Sequence, residues 1–318
     1  MPKGHRPKHG SWQFYPRKRA KRIYPRVRSW AKKPEVKILG FAGYKVGMTH
    51  CIVQDIKPTS ITKNTEIAWP TTIIECPPLN VFSLRFYKKA GYGSIIIKDV
   101  IADKFDKELK RKINIPKKKD IKQEFPTNFD DVRILVHANP KLTTIGKKKP
   151  EVIELALSGN KDEKLNFAKN LLGKEIKLSD IFKQGEFVDI HAVTTGKGFQ
   201  GPVKRFGVNL KSHKSEKKRR SAGNMGPSIP RKVHWKVPQH GQLGFFSRTQ
   251  YNNLIVAINP DKPENMTKEG FRSYGIVKND FALVRGSIPG PKKRFIQITH
   301  AIRKSKPDTQ FEVKFIKK

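Results

Sequence analysis

The sequence predicts a mainly β fold that carries an α/β insertion and two long irregular basic extensions. Three observations predict it. Short apolar runs with strand texture recur towards both ends, the period turns helical only in the middle, and two strongly cationic stretches show almost no apolar periodicity. The chain has 318 residues, enough for two ordinary domains or one domain with large insertions. Only 36% of residues are apolar and 30% are charged, so a core can form but much of the chain must be solvated or lie against a charged partner.

In chain order, VKILGFAGYKVGMTHCIVQDI is β-rich and punctuated by Gly40, Gly43 and Gly47. EIAWPTTIIEC, PLNVFSLRFY and GSIIIKDVIA continue as strands, with Pro70 and Pro77–Pro78 marking bends or edges. The period then changes: DKFDKELKRKI and KLNFAKNLLGKEI predict short helices, the second ended by Gly173, with DVRILVHA and EVIELALS as strands between them. Residues 99–184 therefore read as the α/β insertion. Strand texture returns at GEFVDIHAV, and again at NLIVAI, GIVKNDFALVRGSI, KKRFIQITHAI and FEVKFIKK. Between these, the segment after Gly201 predicts a structureless stretch of a length that needs an external partner to order it.

Charge is unevenly placed. Lys+Arg 67 against Asp+Glu 27 gives a net charge of +40. Residues 1–34 hold twelve Lys/Arg and no acid, and a second acid-free stretch runs from Lys217 to Pro260. Sixteen of the 27 acids lie between Asp99 and Asp189, where twenty Lys/Arg leave a net +4, so the rest of the chain carries +36. A uniformly solvated basic surface does not explain this segregation. Nucleic acid does, because each neutralised phosphate releases a counterion and each nearby carboxylate opposes the contact.

A membrane surface would call for an amphipathic helix with an apolar face. Pro7, Pro16 and Pro25 instead break the N-terminal stretch, and Trp12, Phe14, Tyr15, Tyr24 and Trp30 are interleaved with Arg and Lys. That pattern fits an extended segment laid along RNA, with cations on phosphates and rings against bases. The N-terminal sequence has no signal-peptide apolar segment, and no run approaches 18 apolar residues. Cys51 and Cys76 are 25 residues apart, which predicts buried structural thiols in a reducing, cytoplasmic setting rather than a metal site or a disulfide scaffold.

GKGFQG, residues 196–201, matches G-x-G-x-x-G, but no amphipathic helix follows and the segment after it is cationic, with Gly207 inside it. No kinase, P-loop, G-x-S-x-G or H-E-x-x-H signature is present, and the basic region offers no carboxylate as a base. The glycines read instead as a tight turn that lets backbone approach a phosphate–sugar ladder, flanked by Lys197, Lys204 and Arg205. No enzymatic activity, cofactor, metal or small-molecule substrate is expected.

Four motifs in fixed order, HGSWQFYPRKRAKR, GFAGYKVGMTH, AVTTGKGFQGPVKRFG and GNMGPSIPRKVHWKVPQHGQLGFFSRT, resemble the third large-subunit ribosomal protein family (L-three) in its archaeal and eukaryotic form. The late turn RGSIPGPKKR fits the same pattern, so the resemblance spans nearly the whole chain. It implies a β-barrel of the translation-factor type and a surface insertion. It also implies two extensions that penetrate large-subunit rRNA, the central one reaching toward the peptidyl transferase centre, and an early role in assembly. On it, residues 1–35 form the arm, 36–98 the first part of the barrel, 99–184 the insertion, 185–201 a barrel strand and glycine turn, 202–243 the central loop and 244–318 the rest of the barrel.

The implied partners are large-subunit rRNA and neighbouring ribosomal proteins, with no membrane. The expected rRNA contacts on the arm are Arg6, His9, Trp12, Arg17, Lys18, Arg19, Lys21 and Arg22. In the central region they are Lys197, Lys204, Arg205, His213, Lys217, Lys218, Arg219, Arg220, Arg231, Lys232, Trp235 and Lys236. Elsewhere they are Lys45, Arg248, Lys292, Lys293 and Arg294, and the loop tip is Gly226, Pro227, Ser228, Ile229 and Pro230. Many relatives have tryptophan where this chain has Ser228, so the tip is expected to act by positioning and charge rather than by inserting a ring. On the residues alone, a DNA-packaging protein and an RNA-modifying enzyme are the competing classes; the first rarely carries so large a β core, and the second needs a cofactor pocket.

Overall fold

The computed structural model describes residues 10–104, 106–114, 124–214, 218–229, 231–259, 270–303 and 311–316. The chain divides into two compact units, one made of Met1–Arg22 with Val193–Ser247, the other of Ile23–Ala192 with Arg248–Lys318. The regular elements in order are β1 (Gly40–Asp55), β2 (Glu66–Glu75), β3 (Leu79–Ala90), β4 (Gly93–Ile101), β5 (Asp131–Ala138), β6 (Glu151–Ala156) and helix α1 (Lys161–Leu171). There follow β7 (Glu175–Ile176), β8 (Phe187–Val193), β9 (Gly196–Gln200), α2 (Pro202–Phe206), β10 (Gly241–Gly244), β11 (Ser247–Ile258), β12 (Phe281–Arg285), β13 (Phe295–His300) and β14 (Phe311–Ile316). The fold is mainly β and antiparallel, as the alternating apolar runs predict.

In the larger unit one sheet runs β13–β8–β11–β12–β2–β1, and β1 pairs back onto β13, which closes the ring into a barrel. Strand β1 makes this possible because its 16 residues serve different partners along its length. Gly40 to Tyr44 pair with β13, whereas Cys51 to Asp55 pair with β14. Register shifts at Lys45/Gly47 and Ile52/Val53 bend the strand so that it can do both. Phe41, Ile73, Ile74, Ile190, Phe281, Phe295 and Ile298 are essentially inaccessible and form part of one continuous core. Cys51 and Cys76 are buried free thiols.

The second sheet has the order β4–β3–β5–β6, with β7 added on β3 and α1 packed on β5. Here the structure differs from the sequence expectation: β3 and β4 belong to this sheet, so it begins before residue 99 and takes in part of 36–98. A barrel strand and an insertion strand share the same period of two, so periodicity could not assign them. DKFDKELKRKI also differs, giving only a short 3-10 segment, Lys107–Arg111, whose one buried residue is Leu109. One apolar anchor cannot bury the stripe that a longer helix needs.

Several acids of this region are paired with its own cations. Arg85 holds Asp99 through two bonds of 2.8 and 2.7 Å, Arg133 donates to Glu154 at 2.7 Å, Tyr87 Oη donates to the same carboxylate at 2.8 Å, and Lys164 reaches Asp131 at 3.0 Å. The fully buried Glu75 is satisfied in a similar way, by Tyr274 Oη, the Lys278 and Asn279 amides at 2.9 and 3.0 Å and Asn279 Nδ2 at 2.8 Å. This carboxylate fixes β2 against the 274–279 turn, and removing one donor would leave part of a buried charge unpartnered. Among the described residues no helix is long and apolar enough to cross a membrane.

His300, at the end of β13, is buried with Nδ1 3.0 Å from Lys33 Nζ. Burial first, then Lys33 and Lys37, push its pKa down to about 4; the Glu186 carboxylate at 3.9 Å does not offset them. Burial also lowers His137 and His191. The neutral forms belong to the fold, so their contribution is fully present above the unfolded histidine value of about 6.5 and is lost as pH falls towards 4. Thermal denaturation of the free chain should show stability falling on acidification from pH 7 to 5. His300→Asn should remove on the order of 2 kcal/mol of that pH dependence. Equal pH dependence in both chains would show that His300 is not held neutral.

Candidate nucleic-acid interface

The smaller unit carries twenty Lys/Arg and a single acid, Glu216, which lies outside the described residues. Its scaffold is the antiparallel pair β9–β10, in which Gln200 faces Gly241 and Phe199 faces Gln242. GKGFQG is thus mostly a strand, not the tight turn expected from its glycines. It is the near limb of a two-strand stem from which the central loop leaves and to which it returns. Close approach is needed at Gly244, at φ 70°, where a Cβ would lie 2.0 Å from the Thr195 carbonyl oxygen. Beside it, the Phe245 amide donates to Thr195 O at 3.2 Å and the Thr194 amide to Phe246 O at 3.0 Å.

The structure also places a helix where the sequence suggested none. PVKRF forms α2, with Pro202 at its first turn and Gly207 closing it in the left-handed region at φ 69°. Proline at the start and glycine just past the end are the usual punctuation of a short helix. The signal was present in the sequence, but five residues are too few to show apolar periodicity.

This helix presents Arg205. Its Nε donates to Gln242 O at 3.0 Å and its Nη1 to Gln239 O at 2.8 Å and His240 O at 3.4 Å. One rigid fork therefore gathers three carbonyls of the returning limb, which a flexible ammonium could not do equally well. Arg17 of the arm completes the arrangement: its Nη1 donates to Arg205 O at 3.1 Å and its guanidinium sits 4.3 Å from the Phe206 ring centroid. Burial first, then the Arg17 charge, lower the Arg205 pKa. The arm is held again where the Ala20 amide donates to Phe245 O at 2.8 Å.

Aromatic residues join arm to loop. Tyr15 meets Trp235 edge-on at 5.1 Å and Phe206 at 6.5 Å, Trp12 lies 6.0 Å from Trp235, and His234 stacks on Trp235 at 5.8 Å. Lys236 Nζ lies 4.2 Å above Trp12. Trp12 and Trp235 were expected to meet RNA; each turns part of its ring to the other and remains partly exposed, at 40% and 57%. Sequence reasoning missed Phe199, 72% exposed on β9, whose ring is 5.3 Å from His240. An outward aromatic close to an outward lysine in K-G-F was the available signal.

The remaining expected residues fall into three groups. Lys18, Arg19, Lys21, Arg22, Lys197, Lys204, His213, Lys218, Arg219, Arg220, Arg231 and Lys232 are exposed in this unit, as are Gly226, Pro227, Ser228 and Ile229 at the tip. The tip turns at Gly226, φ 124°, whose amide donates to Asn224 Oδ1 at 2.9 Å. In the larger unit Lys292 and Lys293 are exposed, while Arg248 and Arg294 are half-buried. Lys45 is also half-buried there, and its Nζ donates to Ile288 O at 2.6 Å and Gly290 O at 3.0 Å, so it braces a turn. Arg6, His9, Lys217 and Pro230 lie outside the described residues.

Arg205→Lys keeps the charge and loses the fork. Amide exchange at Gly207 and Phe245 should quicken by roughly tenfold, the equivalent of about 1.4 kcal/mol, while β1 and β2 stay unchanged. Equal exchange in both chains would mean that the fork does not hold the stem.

Comparison with known proteins agrees with this arrangement. The family model described as Ribosomal protein L3 matches residues 1–318. The protein named Large ribosomal subunit protein uL3 of Archaeoglobus fulgidus is 44% identical over 311 residues, 96% of this chain and 94% of that protein. Its namesake in Methanocaldococcus jannaschii is 43% identical over 311 residues, 95% of this chain and 93% of its own length. That of Methanosphaera stadtmanae is 43% identical over 329 residues, covering 99% and 98%. With a closed β scaffold, a cationic unit almost without carboxylates and a match over its full length, this chain belongs to the Ribosomal protein L3 family.

Proposed function

We propose that this chain is a structural constituent of the large ribosomal subunit that binds and orders large-subunit rRNA. It performs no catalysis of its own. The observation that carries this reading is the smaller unit, where twenty cations stand with one acid, so their counter-charge must come from outside the chain. The relatives' shared name supplies the assembly and favours it over DNA packaging.

In this reading the arm and central loop enter rRNA together, tied by the ring contacts around Trp235. Lys18, Arg19, Lys21 and Arg22 neutralise phosphates from the arm, and Lys218, Arg219, Arg220, Arg231 and Lys232 do so from the loop. The tip, residues 226–230, of which 226–229 are exposed, reaches toward the peptidyl transferase centre and positions rRNA there by charge. With no ring at Ser228, it has none to insert at that position. The larger unit offers Lys292 and Lys293 to rRNA and its second sheet to neighbouring ribosomal proteins. Binding by a chain this cationic orders rRNA early in assembly.

The chain should sediment with large subunits through high salt, and free sedimentation would refute the assembly. Affinity for large-subunit rRNA should fall linearly with salt on logarithmic axes. Replacing Lys18, Arg19, Lys21 and Arg22 by Gln should reduce that slope by about 0.7 to 0.9 for each phosphate no longer neutralised. An unchanged slope would place these side chains in solvent. Arg17 is left intact in this test because its guanidinium is committed to Phe206 and the Arg205 carbonyl.

A further inference from the structure

A cavity of about 630 Å³ opens in the smaller unit between the start of α2 and the limbs of the central loop. Pro202, Ala222 and Met225 give it apolar surface, and Lys218, Arg219 and Arg220, all exposed, are residues of its wall. Among the described residues no carboxylate lines it. We propose that this cavity receives one unstacked nucleotide of large-subunit rRNA, its base against the apolar surface and its phosphate outside, toward the exposed Lys218, Arg219 and Arg220. The proposal rests on the rRNA-binding reading above and adds a defined nucleotide site to it.

Size comes first. Pockets for small organic ligands span roughly 300 to 1,000 Å³, so the space suits a nucleotide and is far larger than one water needs. Charge then selects among occupants. An apolar peptide would gain nothing from three cations, whereas a nucleotide offers a π-face and a phosphate in one residue. His240 also lines the cavity, with its ring beside the exposed ring of Phe199, which supplies an aromatic edge for a base.

The walls are pre-built. Gln239 O and His240 O are held by Arg205 Nη1, Arg219 O accepts from the Lys211 amide at 3.1 Å, and Lys218 O accepts from Ser221 Oγ at 3.2 Å. These bonds limit the arrangements that the walls must give up when a nucleotide enters, which lowers part of the cost of binding.

Gly201 gives a separate indication. It lines the cavity at φ −72° and ψ 166°, values open to any residue, and a Cβ there would meet nothing within 4 Å. Gly201 is also the N-cap of α2, where glycine is favoured, and without a side chain it leaves that wall of the cavity open.

The test uses the full chain bound to large-subunit rRNA, with bases probed by dimethyl sulfate and carbodiimide. Gly201→Leu adds a side chain at the cavity wall where a Cβ meets nothing within 4 Å, and Met225→Ala removes a wall without any possible clash. Each should expose one base that the unaltered chain protects, and should weaken binding about tenfold, the loss of one base stack. The salt slope should stay unchanged, because the phosphate contacts remain. Affinity within twofold and an unaltered base pattern in both variants would overturn the proposal. So would a cross-link from position 225 to a neighbouring ribosomal protein in assembled subunits. If the unaltered chain shows no salt-dependent rRNA binding, the broader reading fails first, which is a distinct result.

Discussion

One guanidinium closes the base of the cationic loop. Arg205 spans from α2 to Gln239, His240 and Gln242, and those bonds turn a long irregular excursion into a loop with a fixed neck. It does so without an anion. Carbonyl oxygens take the place of a carboxylate, and the ring of Phe206, 5.1 Å from the guanidinium, covers part of the group. The second guanidinium, Arg17, packs on the same ring and on the Arg205 carbonyl, so two like charges share one anchor. A carboxylate here would stabilise the isolated chain but would also repel the phosphate backbone that the unit is built to meet. The neck is therefore made from the one strongly binding cation whose partners can all be neutral.

The two units divide the physical work. The larger one buries a continuous apolar core, and Asp99, Asp131 and Glu154 are matched to Arg85 and Arg133 of its second sheet and Lys164 of α1. The smaller unit has a two-strand stem, a helix of five residues and an aromatic seam, which is little buried surface against its load of repelling charge. A polyanion turns that repulsion into attraction, since the cations already point outward from a neck that holds them.

Much of this was legible in the sequence. DVRILVHA is β5 without change of bounds, EVIELA is β6, and the helix before Gly173 is α1, because each has a clear period and a clear stop. The charge segregation marked part of both pieces of the smaller unit: residues 1–22 fall in the first acid-free stretch and 217–247 in the second. What could not be read depends on contacts between distant residues. No local pattern says that β3 and β4 leave the barrel for the second sheet. Nothing near Lys45 says that its ammonium serves the carbonyls of Ile288 and Gly290. Arg17 reads as one more cation in RKR until Phe206, nearly two hundred residues away, is seen beneath it.

The central claim is that the smaller unit has a built neck but takes its stability from an external polyanion. Hydrogen exchange of the full chain, free and bound to large-subunit rRNA at one salt concentration, tests it directly. The amides of Ala20, Thr194 and Phe245 should be weakly protected in the free chain and gain at least a hundredfold on binding, while β1, β2 and β13 change little. Strong protection of those three amides in the free chain, with no gain on binding, would contradict the account.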